Sequence, residues 1–72
     1  MSEVERLESA IGLVRQGDLL RAAELLEQSS SGMTRENAAN CRRLAGAPNP
    51  GLEQVLLHCL EQELEFGRTF GF

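Results

Sequence analysis

The side chains able to do chemistry in this 72-residue chain are few: one histidine, His58, two cysteines, Cys41 and Cys59, and the carboxylates and hydroxyls around them. A catalytic site needs a nucleophile or an acid beside a group that shifts its pKa. His58 and Cys59 are neighbours in sequence, but successive positions on a helix point about 100° apart, so the two do not face each other as nucleophile and base. A half-exposed histidine next to a buried cysteine is the simpler reading, and no enzymatic activity is expected.

Metal binding fares no better. There is no C-x-x-C and no paired-histidine spacing. Glu61 follows His58 by three residues and could share its face, yet that pairing is common on acidic helices that bind nothing. No metal site and no cofactor are expected. Glu61, Glu63 and Glu65 alternate at two-residue spacing, which spreads them around a helix, and they are read as a solvated face. Cys41 and Cys59 sit at comparable distances on either side of a Pro/Gly-rich turn, so a disulfide between two antiparallel helices is sterically open. Small buried thiols are ordinary core residues, and core packing is the favoured reading. A thiol or metal sensor through Cys41 and Cys59 stands as an alternative function.

Eleven acidic residues against seven basic ones give a net charge of −4, and every cation is an arginine. Phosphate backbones repel such a surface, so nucleic acid is not an expected partner. At 42% hydrophobic residues the chain is too apolar to read as disordered. Its apolar runs are only a few residues long, far short of the roughly 20 that span a bilayer. With no signal peptide and too few cysteines for a disulfide scaffold, a cytoplasmic protein without membrane attachment is expected.

The elements that must position these residues are all helical. Ser2 and Glu5 have the spacing of a capping box, after which Val4, Leu7, Ile11 and Val14 recur at threes and fours. Gly17 suits a left-handed C-cap and Asp18 an N-cap, which predicts a tight hairpin into a second helix with Leu19, Ala22, Ala23 and Leu26 inside and Leu20 and Leu25 widening the stripe. Ser29-Ser30-Ser31-Gly32 breaks the pattern. Thr34 is the expected N-cap of a short, weak third helix, with Met33 stapled to Ala38, and with Asn37, Asn40, Arg42 and Arg43 on polar faces. Asn49 and Pro50 predict the start of a fourth helix that Gly67 closes. The expectation is a single all-α domain, a small bundle of three to four helices built on hairpins, with helices over about 3–16, 19–28, 35–45 and 50–66 and an aromatic tail over 67–72.

Ala10, Gly17-Asp18, Leu19, Ala22 and Leu26 together resemble half of a tetratricopeptide repeat. The likeness covers under a third of the chain and departs from the family at Ser29, Ser30 and Ser31. A lone repeat cannot bury its own face, so the stretch is read as a general helical hairpin and no family is assigned.

A domain of this size buries only about 60% of its unfolded surface, which favours reinforcement by association. The fourth helix carries the broadest apolar face, and all three aromatics fall in the last seven residues. Partner binding is therefore expected at Leu52, Val55, Leu56, Leu60, Leu64, Phe66, Phe70 and Phe72. The expected function is a cytosolic protein–protein interaction module, a homo-oligomer or the small subunit of a heteromeric complex. An adaptor like the small acidic export chaperones is the alternative, by analogy of size, charge and helicity.

Overall fold

Ser2 starts the first helix as its spacing predicts: its side chain accepts from the Glu5 backbone N–H while the Glu5 carboxylate accepts from the Ser2 N–H. The computed structural model describes residues 1–71, and within them four helices follow: α1 Glu3–Arg15, α2 Leu19–Leu26, α3 Gly32–Gly46 and α4 Pro50–Phe70. Phe72 lies outside the described residues. No strand occurs among them.

Gly17 takes the left-handed conformation, with φ of 82°, and turns the chain from α1 into α2 in three residues. Asp18 does not act as the expected side-chain cap; its carboxylate lies 3.6 Å from Arg21 instead. The third helix differs most from expectation. It begins three residues early, because Ser31 caps it by accepting from the Thr34 N–H at 3.4 Å, and Thr34 itself is buried. Met33, expected to pack on Ala38, stands 64% exposed in the first turn. Asn49 caps α4 through the Leu52 N–H, with Pro50 in the first turn, where a missing N–H costs nothing. Gly67 does not close that helix. A glycine permits a left-handed stop without enforcing one, and the stop comes at Gly71, with φ of 78°. Most of the expected tail is thus a further turn of α4, with Arg68 in it pairing to Glu8 of α1.

The helices close a ring in which α1 packs on α2 and α4, and α3 on the same two. Arg15–Glu61 at 2.6 Å and Arg68–Glu8 at 2.7 Å show that α1 and α4 run antiparallel. Arg42 grips Glu27 with two hydrogen bonds, of 2.6 and 2.7 Å, between α3 and α2. These pairs are exposed and screened by solvent, so each contributes little. The core contributes more. Leu7, Ile11, Val14, Leu26, Leu44, Leu56 and Leu60 are buried around Ala10, Ala22, Ala23 and Ala38, and no aromatic among the described residues joins them. Small side chains at facing positions let the backbones approach closely. The radius of gyration, 11.0 Å, is close to the roughly 11 Å of a compact chain this long. The accessible surface of 4378 Å2 is likewise near the roughly 4,400 Å2 of a folded monomer of this mass.

Replacing Leu60, fully buried, with Ala should lower stability by about 2–5 kcal/mol in urea unfolding. Val55→Ala, on the exposed side of the same helix, should stay within about 0.5 kcal/mol.

Candidate functional site

The residues expected to meet a partner separate into two sets. Leu56, Leu60 and Leu64 are 1%, 0% and 8% exposed, so on the folded chain they form its own core and present no free face. This corrects the expectation of a leucine-rich binding surface: the stripe that seemed left over covers α1 and α3. Leu52 is half-buried, while Val55, Phe66 and Phe70 are exposed.

Phe66 and Phe70 stand one turn apart with ring centroids 5.0 Å apart, tilted by 46°. They form one wall of a groove of about 670 Å3 between the start of α3 and the second half of α4. Ser31, Met33 and Thr34 line it from α3, and His58, Cys59, Gln62, Glu63, Glu65 and Thr69 join the two rings from α4. The walls are mostly apolar. The early start of α3 creates this arrangement, since it puts Met33 on an ordered helix opposite the rings.

Glu63 corrects the sequence reading most sharply. It does not lie on a solvated face: it is 8% exposed and lines the groove. Two α3 side chains hold its carboxylate, with the Thr34 hydroxyl donating at 3.1 Å and the Asn37 amide at 3.0 Å. Burial raises its pKa above the ordinary carboxylate value; the two hydrogen bonds oppose that shift and the nearby Glu3 charge adds to it. The signal was available in the spacing. Glu63 follows Leu56 by seven residues and Leu60 by three, which puts it on their face of the helix.

Further polar side chains surround this point. Glu3 pairs with Arg6 and accepts from the Ser29 hydroxyl at 2.6 Å. Ser29 is buried, accepts from the Ser31 N–H, and its carbonyl accepts from Arg35 at 2.9 Å. Arg6 Nε is buried without a hydrogen-bond partner among the described residues. The serine run thus orders the α2–α3 connection.

The remaining chemical candidates do not come together. His58 is exposed. Both cysteines are free thiols; Cys41 is fully buried and burial pushes its pKa up to about 11, which disfavours the thiolate that a redox switch or metal ligand requires. No cluster of three metal-ligating side chains occurs among the described residues. No helix among them is long and apolar enough to cross a membrane. Comparison of the chain with protein-family models, curated proteins and solved structures finds no match.

The raised Glu63 pKa fixes a sign. A carboxyl whose folded pKa exceeds its unfolded value favours the fold below the unfolded pKa and loses that contribution as pH rises through the folded one. Gln keeps both an acceptor and a donor for Thr34 and Asn37. Glu63→Gln should therefore unfold at higher urea than the wild type at pH 7.5, and the gap should close as pH falls below about 4. An unchanged gap across that range would contradict the shift.

Proposed function

We propose that this protein is an interaction module that receives an apolar helix of another protein in the groove between α3 and α4. One observation carries the reading. Met33, Phe66 and Phe70, three of the largest apolar side chains on the molecule, are 64%, 57% and 74% exposed, and all three line the same concavity. Scattered surface hydrophobics need no explanation, but a contiguous set lining a groove does. Aromatic side chains fill pockets well and dominate the energetics of many interfaces.

The geometry supports a helical occupant. From His58 to Phe70 the lining follows α4 for roughly 18 Å, at about 1.5 Å per residue. That length suits a partner segment of about 12 residues, laid along the groove with anchors at three- and four-residue spacing. An acidic adaptor of the export-chaperone kind is a narrower form of this reading. Cys41, packed in the core, gives the sensor alternative no support.

The test is an NMR titration of labelled protein with an amphipathic helical peptide bearing a leucine stripe. Shifts should concentrate at Met33, Cys59, Phe66 and Phe70, and the Phe66→Ser, Phe70→Ser double variant should weaken binding at least about tenfold with its helix content intact. Shifts spread evenly over the surface, or unchanged binding by the double variant, would overturn the proposal. Light scattering over a concentration series supplies the control: a dimer abolished by the same double variant would make the occupant a second copy of this chain.

A further inference from the structure

We infer that the helix received by this groove carries an arginine or lysine within its apolar face, and that this cation docks on Glu63. The inference rests on the groove reading and specifies what the groove selects.

Among the described residues, every other carboxylate that bridges two helices has its own arginine: Glu8 has Arg68, Glu27 has Arg42 and Glu61 has Arg15. Glu63, more buried than any of these, has none, and its two protein partners, Thr34 and Asn37, are neutral. A carboxylate has about four acceptor positions, those two bonds occupy about half of them, and Glu63 is among the residues that line the groove. Burying a carboxylate without a counter-charge is costly, and the burial is visible in its raised pKa. Neither arginine left outside the ion pairs meets it: Arg35 bonds the Ser29 carbonyl, and Arg43 lies exposed farther along α3.

The rim has the same polarity. Glu65 lines the groove without an ion pair, so among the described residues the apolar trough holds two carboxylates and no arginine or lysine. A helix of leucines alone would bury Glu63 further and strand it. A guanidinium or ammonium placed among those leucines would take up the free acceptor positions as charge-assisted hydrogen bonds, the stronger class. A second copy of this chain matches poorly, since a two-fold contact through this groove would set Glu63 and Glu65 against themselves on a surface already carrying −4.

The probes are helical peptides of about 14 residues with one leucine stripe, carrying arginine at each of three successive stripe positions in turn, and the same peptides with citrulline, which keeps the shape and removes the charge. Affinities are read by NMR titration at pH 7.5 and low salt. The best arginine peptide should bind the wild type about tenfold tighter than its citrulline twin. Glu63→Gln should remove most of that advantage, while Glu65→Gln removes less. Equal affinities of the twins, or an advantage undiminished in Glu63→Gln, overturn the inference while leaving an apolar groove in place. If neither peptide moves the groove resonances, the groove reading falls and this inference with it.

Discussion

The pair of bonds from Thr34 and Asn37 to Glu63 is the constraint on which the rest of the architecture depends. The core is leucine and alanine with one isoleucine, one valine and one cysteine. Such a core fills volume but specifies register weakly, because one leucine fits nearly as well as the next. The polar pair is less forgiving. Sliding α3 along α4 by one residue would leave a buried carboxylate without donors, a loss on the order of 1–3 kcal/mol or more for each partner stranded. The Glu3–Ser29 bond ties α1 to the α2–α3 connection at the same end of the molecule. Registers of three helices are thereby set by a handful of short side chains, and the groove walls inherit their spacing from that setting.

Much of the fold was legible because it is written in caps and periodicity. Ser2 with Glu5, Gly17, and Asn49 with Pro50 each take the terminal role that their chemistry suggests, and the threes and fours of Leu7, Ile11 and Val14 mark a buried stripe. What escaped was polar. The inner stripe of α3 runs through Thr34, Asn37, Ala38, Cys41 and Leu44, and a search for apolar periodicity discards its first two members. The helix then looks short and weak. By the same criterion Glu63 reads as solvated. A charged residue on an apolar face is ambiguous until the facing helix is known, and Thr34 and Asn37 come from a different helix, some 26 to 29 residues earlier in the chain.

The candidate site was legible only in part. The concentration of phenylalanines near the C-terminus pointed to Phe66 and Phe70, which do stand exposed, but the leucines grouped with them belong to the interior. The distinction could not come from α4 alone. A 21-residue helix has one face against the bundle and others against solvent, and which leucines fall on which depends on neighbours that cover only part of its girth. Met33 completes the groove for the same reason: its place opposite the rings follows from Ser31 rather than Thr34 capping α3.

The outward placement of Phe66 and Phe70 has a spectroscopic consequence. The chain has no tryptophan and no tyrosine, and the described phenylalanines lie at the surface. Among the described residues no ring stands deep in the core to displace the leucine and valine methyl resonances, and none is an asymmetrically packed chromophore that gives a strong near-ultraviolet circular dichroism band. By those two observables a fully packed native state resembles a molten globule. Amide hydrogen exchange, which reports opening of the helices themselves, is the measurement that tells the two apart for this protein.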